Sequence, residues 1–144
     1  MTEKDLKKFI QNALKEDVGD GDHTSLASIP ASATSKAHLL IKDDGIIAGI
    51  ELAKMIFNEV DSSLEIEQFL QDGDRVKFGD IAFIVKGNSI SILTGERLTL
   101  NCMQHMSAIA TKTAYLNTLI EDTNCKLLDT RKTTPLNRTI EKWA

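Results

Sequence analysis

The chain has 144 residues, the size of one ordinary domain and enough to bury an apolar core. With 42% apolar and 26% charged residues it is not an intrinsically disordered chain, and its net charge of -4 argues against a general nucleic-acid or membrane-surface binder. No apolar run reaches the ~20 residues of a membrane span, and Cys102 and Cys125 stand too far apart to suggest a disulfide framework or zinc motif.

The first segment, MTEKDLKKFIQNALKED, reads as an amphipathic helix with no apolar signal region, so the expected compartment is the cytoplasm. Leu6, Phe9, Ile10, Ala13 and Leu14 share one face, and Thr2 with Asp5 fits a capping box. The glycines and acidic residues of EDVGDGDHTS predict a turn after it. Residues 37–49 predict two short strands around Asp43-Asp44-Gly45. Ile50, Ala53, Ile56, Phe57 and Val60 then return to helical spacing.

From 64 to 93 the pattern is strand-like, with Ile81, Phe83 and Val85 alternating. Its 73–87 part resembles half of a lipoyl or biotinyl carrier domain. The carrier lysine's tripeptide is absent, so only a hairpin is expected. At Thr94 the character changes to a long, largely buried helix, making 94 the candidate domain junction. The apolar run KLLDT at 126–130 suits a buried parallel strand. Thr134 as N-cap and Pro135 at the first helical position predict a final helix with Leu136, Ile140 and Trp143 on one face.

The densest chemistry is Asp129-Thr130-Arg131-Lys132-Thr133-Thr134-Pro135, between the predicted strand and helix. Two cations, three hydroxyls and a helix start suit a phosphate or a dicarboxylate, and a solvated basic turn fits the same residues. Glu96-Arg97 reads either as a site or as a first-turn glutamate beside an arginine in a structural ion pair. His105, flanked by apolar residues, reads as a satisfied core or interface group. Asp17, Asp20, Asp22 and His23 do not follow calcium-loop spacing and read as a turn. Cys102 reads as a small buried apolar group.

Two stretches go beyond generic pattern. ILTGERLTLNCMQHMSAIAT (92–111) and LLDTRKTTPLNRTIEKWA (127–144) resemble the quinolinate phosphoribosyltransferase family, and EDVGDGDHTS, Gly45–Gly49 and DGDRVKFGD match it in type and order. Ala108 and Leu136-Asn137 depart from the family's usual Gly and Gly-Leu. The resemblance implies an α+β fold. An α/β-hammerhead domain would occupy 1–93, and 94–144 would form the first helix–strand–helix of an α/β barrel, left incomplete here. It implies transfer of phosphoribosyl from phosphoribosyl pyrophosphate to quinolinate by a homodimer, with Mg2+ held by ligands outside this chain. Neither nucleic acid nor membrane enters as a partner.

By position the resemblance makes Arg97, Arg131 and Lys132 catalytic. Thr130, Arg131, Lys132, Thr133 and Arg138 would bind substrate, and Arg97 would reach the neighbouring subunit's site. The 144 residues by themselves are expected to be inactive. Two alternatives stand beside this reading: a related phosphoribosyltransferase acting on nicotinate, and a non-catalytic dimerisation or ligand-binding module.

Overall fold

The computed structural model describes residues 3–144. Helix α1 (Glu3–Val18) turns Leu6 and Ile10 into the core and half-buries Phe9, Ala13 and Leu14, as its apolar stripe requires. The capping residue assigned to Thr2 lies outside the described residues. Beyond α1 the predicted turn contains a short helix, α2 (His23–Ser28). Asp22 caps it, with Oδ1 accepting the Ser25 N–H at 3.1 Å. Six residues give too few turns for an apolar period to register in the sequence.

Five strands follow the predicted order but not the predicted pairing. Strand β1 (Thr34–Leu40) and strand β2 (Gly45–Ile46) flank the Asp43-Asp44 turn, yet they do not form a hairpin. Downstream lie β3 (Glu65–Gln68), β4 (Arg75–Val76) and β5 (Ile81–Asn88). β5 takes the centre of an antiparallel sheet ordered β1-β5-β3, while β2 pairs with β4. In β5 Ala82, Phe83, Ile84 and Val85 are all buried, a near-continuous apolar run that fits the central strand of the sheet. The expected 73–87 hairpin is therefore absent, because β4 and β5 each pair elsewhere.

Helix α3 (Ile50–Val60) buries Ile50, Leu52, Ala53, Ile56 and Phe57. It starts at Gly49, whose φ of 100° suits glycine and which offers no capping side chain. The cap comes from a distant turn. Asp72 accepts the Ile50 N–H at 2.7 Å through Oδ1 and the Glu51 N–H at 3.3 Å through Oδ2. Replacing Asp72 by alanine is expected to cost about 1–2 kcal/mol, read as a lower urea midpoint at constant slope. An unchanged midpoint would show that this cap contributes nothing.

Helix α4 (Ser89–Thr118) is a single 30-residue helix that begins ahead of Thr94. Asn88 sets its start, accepting the N–H groups of Ile90 at 3.0 Å and Ser91 at 3.1 Å. Glu96 consequently lies beyond the first turn, away from the helix's positive end. At Gly95 a Cβ would come within 2.8 Å of the Phe57 ring, so the ring of α3 packs directly on the α4 backbone there.

Two apolar clusters result. Leu6, Ile10, Leu52, Ile56, Leu98, Cys102, Met106 and Ile140 belong to one, and Ile50, Phe57, Phe83, Val85, Ile92 and Met103 to the other. No helix among the described residues is long and apolar enough to cross a membrane.

The end of the chain departs most from expectation. Residues 126–130 form no strand, and Leu127 and Leu128 are exposed by 40% and 89%. A parallel strand exists only by pairing with a neighbour, and no strand among the described residues lies beside this one. Helix α5 (Arg138–Trp143) starts after Asn137 rather than after Thr134. Leu136, with φ of 68°, interrupts the helical path. Of the predicted apolar face, Ile140 is buried and Trp143 half-buried, while Leu136 is exposed.

Candidate functional site

The segment 129–138 is shaped by its own side chains and by α5. The Thr130 hydroxyl accepts the Lys132 N–H at 3.1 Å, a local turn typical of threonine. Arg138 donates through Nε to the Thr133 hydroxyl at 3.2 Å and through Nη2 to the Arg131 carbonyl at 3.5 Å. Lys142 pairs with Asp129. Glu141 accepts the Thr134 N–H at 3.1 Å with one carboxylate oxygen, and the other lies 2.9 Å from Nε2 of His105 on α4. The hydrogen bond from the Thr134 side chain, then that from His105, and less so the Thr134 backbone N–H, hold the Glu141 carboxyl below the ordinary glutamate range.

The loop thus brings together Thr130, Arg131, Lys132, Thr133 and Arg138. Arg131 and Lys132 are exposed, and neither forms an ion pair among the described residues. A guanidinium that can grip a carboxylate through paired donors therefore stands beside an ammonium point charge, an arrangement suited to an anion with two acidic groups. Arg97 is not gathered into this loop. Its Nη1 donates to Asp17 on α1 at 2.9 Å, and its side chain is 70% exposed.

Between α1, α4 and the turn before α5 lies a cleft of about 780 Å³, lined by Lys8, Asp17, Asn101, His105, Asn137 and Thr139. His105 is thus a partnered group at a helix–helix contact, in keeping with its sequence context. Cys102 borders the same cleft, and burial pushes its thiol up to about 11, which leaves it a poor nucleophile. A second, more apolar groove of about 810 Å³ lies between the β1–β2 connection and α4, near Leu40, Ile46, Met103 and Tyr115.

The acidic turn after α1 is divided among other tasks. Asp17 holds Arg97, Asp20 pairs with His23 at 3.1 Å, and Asp22 caps α2. No group of three or more His, Cys, Asp or Glu among the described residues is placed to hold a metal ion. Sequence reasoning missed Glu141 and Lys142. Their spacing from Arg138, at i+3 and i+4 on one helix face, was the available signal.

Fold and loop together define an α+β chain that presents two neighbouring cations ahead of a short helix. The model of the quinolinate phosphoribosyl transferase N-terminal domain matches residues 22–107, and that of the C-terminal domain matches residues 109–144. The chain belongs to the quinolinate phosphoribosyltransferase family.

It is 48% identical over 141 residues to quinolinate phosphoribosyltransferase (decarboxylating) 2, mitochondrial, of Nicotiana glauca, covering 97% of this chain and 40% of the relative. To the probable nicotinate-nucleotide pyrophosphorylase (carboxylating) of Bacillus subtilis it is 36% identical over 144 residues, covering 100% and 50%. A crystal structure of NadC from Streptococcus pyogenes matches with a TM-score of 0.94 at 34% identity, over 99% of this chain and 51% of that one. The chain therefore spans between 40% and 51% of the length of these relatives.

Proposed function

We propose that this chain is the N-terminal portion of a phosphoribosyltransferase acting in NAD biosynthesis. The reaction moves the 5-phosphoribosyl group of phosphoribosyl pyrophosphate to the ring nitrogen of quinolinate. Pyrophosphate and carbon dioxide leave, and nicotinate mononucleotide remains. The observation that carries this reading is the exposed Arg131-Lys132 pair, free of ion pairs within the described residues, on a loop that α5 holds in shape.

Quinolinate carries two carboxylates. Arg131 takes one through paired donors and Lys132 the other as a point charge, with the Thr130 and Thr133 hydroxyls on the same wall. Arg138 fixes Thr133 and the Arg131 carbonyl, so it orders the wall as well as adding charge. The chemical step needs placed charges more than a nucleophile, since positive charge develops on the ribose and negative charge on pyrophosphate.

In the homodimer of this reading, Arg97 exchanges Asp17 for the site of the second copy. Mg2+, held by residues beyond these 144, would supply the charge that neutralises the pyrophosphate. Residues 1–93 form the hammerhead domain and 94–144 open the barrel domain, with α4 crossing between them. A cytoplasmic location accords with the free Cys102 and Cys125, which suit a reducing compartment.

The test supplies the full-length polypeptide carrying this chain with phosphoribosyl pyrophosphate, Mg2+ and either quinolinate or nicotinate, and follows the mononucleotide and carbon dioxide. Quinolinate is expected to be consumed and nicotinate spared. Use of nicotinate alone would replace this reading with its mono-acid counterpart. The 144 residues by themselves are expected to give no product.

A further inference from the structure

We propose that Glu141 is a positioning residue, clasping the Arg131-Lys132 loop into the shape that receives a dicarboxylate; this rests on the function proposed above. Helix α5 has six residues, too few to be stable without tertiary support. Its Arg138, Glu141 and Lys142 stand at i, i+3 and i+4 and all reach back to the loop, to Thr133 and the Arg131 carbonyl, to Thr134, and to Asp129. Of these three, Glu141 alone continues the connection outward, through His105, to α4. Helix α4 is in turn fixed in both apolar clusters. Ile140 supplies the apolar anchor of α5, and Glu141 supplies the polar one.

The Glu141 side chain is only 11% exposed, and its partly buried bond to His105 meets less competition from water than its exposed bond to Thr134. It does not touch the proposed substrate. It acts through the Thr134 backbone, two residues from Lys132. Without it the loop must be ordered by the substrate itself, which weakens binding while leaving both cations available for chemistry.

The Glu141→Ala variant of the full-length polypeptide is therefore expected to raise KM for quinolinate about tenfold. Its kcat and its KM for phosphoribosyl pyrophosphate stay within about twofold. Glu141→Gln should recover most of the loss, because its carbonyl still accepts from Thr134 and its amide can donate to a His105 ring nitrogen. In the 144-residue chain, the Thr134 amide should exchange with solvent about tenfold faster in Glu141→Ala than in the parent.

Unchanged quinolinate KM in Glu141→Ala, in an enzyme that Arg131→Ala disables, would overturn the proposal. So would a parallel rise of both KM values with a lower melting temperature and no rescue by glutamine, the pattern of a merely structural residue. If the parent enzyme does not use quinolinate, the functional reading fails by itself. Amide exchange at Thr134 then decides the clasp, and an unchanged rate rejects it.

Discussion

Replacing Phe83 with alanine is expected to remove about 3–5 kcal/mol of folding stability, a large share of the total for a domain of this size. Phe83 is 2% exposed in β5, with Leu39 of β1 opposite on one side and Gln68 of β3 on the other. Its ring meets Phe57 of α3 edge to face, with centroids 6.3 Å apart and planes at 80°. Truncation therefore leaves a cavity where sheet and helix layer join, and the surrounding backbone is too constrained to close it. Phe83→Leu fills most of that space and should cost clearly less. Urea unfolding followed by circular dichroism measures both variants. A loss below about 1 kcal/mol for alanine would contradict the packing described here.

Arg131→Ala is expected to do the opposite: little to the fold and most of its damage to catalysis. Arg131 is exposed, so the melting temperature should hardly move. Its guanidinium can grip a carboxylate through a fork of donors, whereas that of Arg138 is tied to Thr133 and the Arg131 carbonyl. Its removal in the full-length polypeptide should lower kcat/KM for quinolinate about a hundredfold or more. Arg131→Lys retains the charge and loses the fork, and should fall between the two. Near-parental turnover by the alanine variant would remove Arg131 from the site.

The apolar faces of α1 and α3 were legible because each rests on a period the chain repeats several times, from Leu6 to Leu14 and from Ile50 to Val60. Pairing was not. Strand β1 sits next to β2 in sequence, yet it pairs with β5, and no local spacing encodes that partner. The KLLDT run has the composition of a strand, but composition cannot provide a neighbour. Helix α5 begins late because Leu136 takes a left-handed conformation, which its residue type does not advertise.

The candidate site divides the same way. DTRKTTP could be found as a contiguous string. The tie of Arg97 to Asp17 and that of His105 to Glu141 span 80 and 36 residues, and no local spacing encodes them.

Helix α4 carries one further consequence. At ~1.5 Å per residue its length approaches 45 Å, and along that rod Leu98, Cys102 and Met106 serve one cluster while Ile92 and Met103 serve the other. The sheet side cannot melt while the α1 side stays intact, because both would have to part from the same turns of helix. The two clusters should open as one cooperative unit, with matched protection of their slowest amides. The two family models meet at Ser107–Ile109, inside this rod. A chain severed there would lose the continuity between Met106 and Ala110 and leave each piece with an uncovered apolar stripe, so the border between the models is no seam in the folded molecule.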